Sequence, residues 1–318
     1  RPLICPLPLS KKWFTFEVLF SSLLKFSLQA YNQTMIRTWK LTKASAEETN
    51  FADMASLDAI TRQLPEGYYS TFRTFDGCSR VLGFTAHLRR LYEPVSTPDV
   101  DASSLRRQLL TLLEPYRPEE ARVRLIMTAQ GSTYAAIEPL KRLPREVYEK
   151  GVRVEATEMH RESPRLKSTA FIGASDLERK HIAQKGIFEA LLVKDGRILE
   201  GMTSNFFYVK YRAERSDEEA KTKRKAVLNT ARADILLGIT RQTVIDIARG
   251  RGLEVRYVPL KRDQLAAVNE AFITSSSRGI VPVVQIDQVT IGQGMPGPVT
   301  QELAAAYEEY VLARAERI

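Results

Sequence analysis

Polar and apolar positions alternate along Tyr68–Phe75, the turn pair Asp76-Gly77 follows, and a shorter strand-like run occupies Arg80–Gly83. Successive side chains of a strand point to opposite faces, so this pattern predicts a hairpin. The period then lengthens. Thr85 is placed to cap a helix running through Leu91-Tyr92, and leucines at helical spacing predict a second helix over Leu105–Leu113. Strands predicted at Val123–Thr128 and Tyr134–Ile137 complete a small α/β unit. The stretch Glu138–Gly151 combines two prolines with mixed charge and reads as a linker, centred on 141–151. Beyond it, strands are predicted at Val152–Glu155, Ala190–Lys194, Asn205–Val209, Glu254–Val258, Glu270–Ile273 and Val281–Ile286. They interleave with helices near Leu177–Gln184, Arg241–Arg249 and Val299–Ala315. The pattern divides the chain into a small domain over 35–140 and a larger one over 152–318.

The first 34 residues do not share this patterning. Their apolar run is interrupted by Glu17 and Lys25, and Met35 follows, so residues 1–34 are expected to be a leader outside the native fold. That run is too short and too broken to span a bilayer. Charge changes the picture little. The net charge is +9, but three of those charges fall before residue 35. Between Tyr211 and Lys225 ten of fifteen residues are charged, which predicts a solvated loop rather than a nucleic-acid surface, because Glu214, Asp217, Glu218 and Glu219 offset the lysines. Two isolated cysteines exclude a disulfide framework, no Cys/His cluster has metal-ligand spacing, and a reducing cytoplasm is expected.

The candidate chemistry lies in five blocks. Lys167 sits in Pro164–Ile172 among apolar neighbours that would desolvate its ammonium, lower its pKa and expose a nucleophilic amine. Thirty-three residues later Glu200 precedes the small-residue turn Gly201-Met202-Thr203-Ser204, which enters the apolar run Asn205-Phe206-Phe207. Leu236-Leu237-Gly238-Ile239-Thr240-Arg241 leads into a helix whose Val244, Ile247 and Ala248 are helically spaced. Ile239 and Thr240 therefore fall at a helix N-terminus, where free amides and the helix dipole favour an anion. Thr274-Ser275-Ser276-Ser277 is a hydroxyl-rich turn between two predicted strands. In Ala86–Leu91, Arg89 and Arg90 flank the Leu88/Leu91/Tyr92 face from opposite sides, and helix geometry alone leaves both open.

Taken together and in this order, from about Gly67 to Tyr310, these blocks resemble the class IV pyridoxal-phosphate-dependent aminotransferases of the branched-chain and D-amino-acid type. The resemblance implies an α+β fold of type IV: a small α/β domain, a larger pseudo-barrel domain, pyridoxal 5'-phosphate in the cleft between them, and a homodimer. It implies that Lys167 forms an imine with the cofactor and moves the proton, and that Glu200 pairs with the pyridinium nitrogen. Alignment with the family selects Arg90 over Arg89 for the phosphate. Leu236, Ile239 and Thr240, through the loop amides, and the Ser276 hydroxyl would complete that grip. Tyr69 aligns with a tyrosine of the substrate pocket, Ser277 with the region that holds the substrate carboxylate, and Arg124 with an arginine used for acidic substrates. Period-two spacing puts Arg73 on the face of Tyr69 and Thr71. The expected partners are an amino donor and a 2-oxo acid acceptor, with no nucleic acid, membrane or metal.

Three features depart from the family pattern: the charged insertion after Lys210, Ile172 where branched-chain enzymes carry a tyrosine, and Ser70 where D-amino-acid enzymes carry an acid. The alternative within the same fold is an aminodeoxychorismate lyase, which eliminates pyruvate. Its lysine-histidine-leucine-asparagine signature is absent from Lys167-Ser168-Thr169-Ala170. Of the histidines, His87 reads as structural, and His160 and His181 match no catalytic position.

Overall fold

Aromatic and β-branched residues favour the half-buried, pleated surface of a sheet, and two sheets built from them organise the chain. The computed structural model describes residues 36–213 and 224–318. The expected leader, the Met35 start and most of the charged insertion lie outside the described residues. The first sheet is antiparallel throughout. It has the order β2 (Ala46–Glu48), β1 (Arg37–Leu41), β6 (Thr133–Pro139), β5 (Ala121–Thr128), β3 (Gly67–Arg73). One face packs Trp39, Leu41, Phe72, Val123, Leu125 and Met127 against Phe84, Leu88 and Leu91 of helix α2 (Phe84–Tyr92) and the buried leucines of α3 (Ala102–Leu113). The opposite face carries Tyr69, Ile126 and Ala136. It meets Leu57 and Ile60 of α1 (Leu57–Arg62) and Ile172 of α5 (Ala170–Ala174).

The second sheet curls until it closes. Strands β10 (Asn205–Ala213), β14 (Glu270–Ser275), β15 (Gly279–Ile286), β7 (Val152–Thr157), β8 (Glu189–Lys194) and β9 (Arg197–Gly201) pair in that order. β9 returns to β10 through the single register pair Glu200↔Asn205. Four short or outer strands extend it: β11 (Arg224–Thr230) on β10, β12 (Glu254–Arg256) on β11, β13 (Leu260–Lys261) on β9 and β16 (Val289–Thr290) on β15. Phe206 and Tyr208 face one apolar core while Phe207 and Val209 face another, as strand periodicity requires. The second core receives helices α7 (Ile239–Gly250) and α8 (Pro298–Arg314) through Val244, Ile245, Leu303 and Tyr307. The two domains meet along the free edge of β3. Tyr69 N donates to Lys167 O (3.0 Å), Thr169 N to Gly67 O (2.9 Å) and Gly67 N to the Thr169 hydroxyl (2.9 Å).

Several expectations need correction. The Asp76-Gly77 turn exists, with positive φ at Asp76, Gly77 and Cys78, but the Phe75↔Arg80 bridge is its one hairpin pairing among the described residues. β3 pairs along its length with β5, and β4 (Arg80–Val81) pairs with the C-terminal β17 (Glu316–Arg317). Thr85 does not cap α2. Gly83 in the left-handed region does, and the Thr85 hydroxyl donates to Glu316 instead. Residues 141–151 contain helix α4 (Arg145–Lys150), whose Val147 and Tyr148 pack on the large domain. The charged run is partly strand, since β10 continues to Ala213 and β11 begins at Arg224.

The start of α8 shows how one buried acid holds this architecture. Glu270 accepts from Thr300 N (2.7 Å), Thr300 Oγ1 (2.8 Å), Val299 N (3.2 Å) and Tyr211 Oη (2.6 Å), and so satisfies the orphan amides of a helix that Gly297-Pro298 starts without a side-chain cap. Glu270→Ala is expected to lower unfolding stability by about 2–4 kcal/mol, the cost of leaving several buried donors unmatched. Urea denaturation checks this, with the slope unchanged. A loss below about 0.5 kcal/mol would show that the cap is dispensable.

Candidate active site

Residues from both sheets and their adjoining helices line a cavity of about 310 Å³. Tyr69, Arg90, Arg124, Lys167, Glu200, Leu236, Ile239, Thr240, Ser276 and Ser277 all line it, so ten of the eleven residues singled out in the sequence share one cavity. Arg73 does not reach it. It lies where β3 passes the last helix, with Nη2 3.5 Å from Glu308 and its guanidinium over the Phe75 ring. Period two put Arg73 on the correct strand face, but at the end of β3 that face is already past the cleft.

Unsatisfied donors gather where helix α7 meets the cavity. α7 starts at Gly238 with no side-chain cap, and Gln242 N is the first amide to find a helical carbonyl, that of Gly238 (3.0 Å). The amides of Ile239 and Thr240 have no hydrogen-bond partner among the described residues, and the Thr240 and Ser276 hydroxyls stand 3.4 Å apart beside them. A Cβ at Gly238 would meet the Asn205 side-chain oxygen, so a larger residue there requires the Asn205 side chain to shift. Arg90 reaches the cavity from α2, while Arg89 is exposed. Its Nη2 donates to Ser70 Oγ (3.0 Å), its Nε is buried without a partner, and burial lowers its pKa to about 10. Ser70 Oγ also meets His87 Nδ1 (2.8 Å). Burial, with Arg90 and Lys167 nearby, drives the His87 imidazole well below its ordinary pKa.

At the centre lies Lys167, its Nζ 4.7 Å from the Tyr69 ring centre. Burial of the amine, then the cations Arg90, Arg161 and Arg124, hold its pKa well below the usual lysine value, which favours the unprotonated, nucleophilic form. Glu200 lines the same cavity and is buried. Its Oε1 accepts from Arg161 Nε (3.0 Å), and its Oε2 from Leu236 N (3.1 Å) and Asn205 Nδ2 (3.2 Å). Burial pushes the Glu200 carboxyl up to about 7, against the pull of Arg161 and the Leu236 amide. A carboxylate accepts about four hydrogen bonds, so capacity for one more donor remains.

The family model for amino-transferase class IV matches residues 67–286. The chain belongs to the class IV aminotransferase family. As an aminotransferase it moves an amino group between an amino acid and a 2-oxo acid, and the family uses pyridoxal phosphate. It is 26% identical to a D-alanine aminotransferase of Bacillus licheniformis over 80% of this chain and 91% of that one. It is 28% identical to a protein of Methanocaldococcus jannaschii provisionally named a branched-chain-amino-acid aminotransferase, over 77% of this chain and 86% of that one. The crystal structure of a Thermotoga maritima protein, given the same provisional name, shares the fold. Its TM-score is 0.67 at 25% identity, over 87% of this chain and 96% of that one.

Sequence reasoning missed the side chains that complete this aminotransferase cleft. Arg161 lies in the polar run His160-Arg161-Glu162, which carries no apolar periodicity. In the fold it is buried, stacked 3.7 Å from the Phe171 ring centre, with Nη2 on Met202 O (2.7 Å) and Nη1 unpartnered. Asn205 was legible as part of a motif but not as the residue that ties Glu200 to Leu236 O (2.7 Å). Asp58, Arg122 and Arg179 also line the cavity, and no local signal marked them.

The raised Glu200 carboxyl has a consequence for stability. A carboxyl with an ordinary pKa of 4.5 when unfolded and about 7 when folded takes up a proton on folding between those values. Its contribution to stability is therefore present below about pH 4.5 and is lost as pH rises through 7. Glu200→Gln removes this titration. In cofactor-free protein, the melting temperature of Glu200→Gln relative to wild type should climb between pH 5 and 7.5. Parallel curves would show that Glu200 does not titrate in that window.

Proposed function

We propose that this chain binds pyridoxal 5'-phosphate in the cavity and uses Lys167 and Glu200 to catalyse transamination of branched-chain L-amino acids or D-amino acids. One observation carries the reading. A buried amine whose pKa is held well below the usual lysine value shares one cavity with a buried carboxyl, an uncapped helix start and the Thr240 and Ser276 hydroxyls. The donor set fits a phosphorylated pyridine: the unpartnered Arg90 Nε, the free amides of Ile239 and Thr240 and the hydroxyls of Thr240 and Ser276 suit a phosphate. Leu236 belongs to the same grip through its loop, which its own amide anchors to Glu200.

When bound, the cofactor supplies a protonated ring that accepts the electron pair released at the substrate's α-carbon. The residues of the chain supply the rest. Glu200, fixed by Arg161, Asn205 and Leu236, presents a carboxylate oxygen that keeps a ring nitrogen protonated. Lys167 would hold the cofactor through Nζ, and the same Nζ, when free, would take the proton from the substrate's α-carbon. The depressed pKa of Lys167 suits both tasks, because each needs the amine unprotonated near neutral pH. Tyr69 and Ser277 are proposed to contact the substrate, and Arg124 to read its side chain. Arg73, outside the cavity, keeps no part in this reading. A homodimer in a reducing cytoplasm belongs to the same proposal, supported by the family resemblance and by the two isolated cysteines. Among the described residues no helix is long and apolar enough to cross a membrane.

An amino-donor panel, L and D enantiomers separately, against pyruvate and 2-oxoglutarate tests the function, with pyruvate elimination assayed in parallel. At least one donor is expected to give ping-pong transamination. Lys167→Ala should lower kcat by more than about a thousandfold while retaining cofactor through the phosphate contacts. Glu200→Gln should slow single-turnover proton abstraction far more than it weakens cofactor binding. Retained turnover in Lys167→Ala would refute the assignment.

A further inference from the structure

The substrate side of the cavity holds an anion that belongs to the protein. Asp58, on the first turn of α1, projects into the cavity beside Tyr69 and Thr71. Each of its carboxylate oxygens is taken by a different arginine: Oδ1 by Arg124 Nη1 at 2.6 Å and Oδ2 by Arg179 Nη1 at 3.1 Å. The two arginines come from different domains, Arg124 from β5 and Arg179 from α6 (Asp176–Gln184). Arg124 is also buried over the Tyr69 ring (4.7 Å) and oriented by Thr71 Oγ1 on Nε (3.0 Å) and Thr61 Oγ1 on Nη1 (3.0 Å). A second link, Arg62 to Asp176 (3.2 Å), holds α1 against α6. The arrangement is a two-arginine carboxylate seat with its carboxylate built in.

We infer that Asp58 is a specificity-determining residue: it fills the seat between Arg124 and Arg179 that the distal carboxylate of a dicarboxylic substrate would need, so the cleft selects monocarboxylic amino and 2-oxo acids. The inference rests on the proposed transamination at Lys167. The physical reason is the sign of the local field. A second carboxylate brought to Arg124 also meets Asp58, and in a partly desolvated site this like-charge repulsion offsets the attraction of an arginine already paired. Every substrate carries an α-carboxylate, so the α-carboxylate grip cancels in a comparison of the two classes. The distal group is what remains.

The test is the ratio of kcat/KM for 2-oxoglutarate to that for 2-oxoisovalerate with a common amino donor, measured for wild type, Asp58→Asn, Asp58→Ala and Asp58→Glu. Wild type is expected to favour the monocarboxylate. Asp58→Asn and Asp58→Ala should raise the ratio at least tenfold, mainly through a lower KM for 2-oxoglutarate. Asp58→Glu, which keeps a carboxylate near the arginines, should leave the ratio near the wild-type value. A merely structural Asp58 would lower both activities together and leave the ratio unmoved, and that result overturns the inference. So does a wild type that prefers 2-oxoglutarate. Should Asp58→Asn and Asp58→Ala not fold, inhibition of wild type by glutarate and by 4-methylvalerate decides instead, with tighter binding of glutarate overturning the inference. Wild type that transaminates neither 2-oxo acid with any donor of the panel overturns the proposed function, and the inference with it. An unchanged ratio with robust turnover overturns the inference alone.

Discussion

Like charges crowded into a cleft with little water around them set the terms for everything else in this protein. Arg90, Arg124, Arg161 and Lys167 line one cavity, and the acids that face them there are Glu200 and Asp58. At an effective dielectric of about 20, two unit charges about 5 Å apart repel by roughly 3 kcal/mol. Burial first, and then these arginines, hold the Lys167 pKa well below the usual lysine value. The same excess of cations suits an anion, and the proposed phosphate seat is the unpartnered Arg90 Nε with the first amides of α7.

The scaffold brings these groups together through two local closures. The barrel closes at the Glu200↔Asn205 pair, which places the acid at the seam and lets Asn205 and the Leu236 amide fix its orientation. The segment that bears Lys167 then adds to the free edge of β3 through Gly67, Tyr69 and Thr169. That contact covers an exposed strand edge and fixes the position of the amine relative to the small domain. Neither closure involves many residues. Each sits within two positions of the chemistry, so the position of the reacting groups follows from the way the domains are joined.

The long periodic elements were legible because their burial is one-sided. α7 and α8, the barrel strands β7, β8, β10, β14 and β15, and β5 with β6 follow the expected pattern to within a few residues, whereas β9, which closes the barrel, and β11 were not expected. What failed was pairing. Alternation identifies a strand but not its neighbour, and β3 chose β5 over β4 because its core face, through Phe72, joins Val123 and Leu125. In the site, motif residues with local signals (a lysine among apolar neighbours, an acid before a small-residue turn, a helix start) converge as expected. Arg161, Asp58 and Arg179 had no such signal. Their role depends on contacts across long sequence separations, and a charged residue in a polar run reads as solvated until the fold buries it.

The central claim is that this crowding singles out one amine. Incubation with pyridoxal 5'-phosphate, reduction with borohydride and peptide mapping tests it directly. The account predicts that the pyridoxyl label is found on the peptide containing Lys167, at about one per chain. Label spread over exposed lysines, or concentrated on a peptide without Lys167, would contradict it.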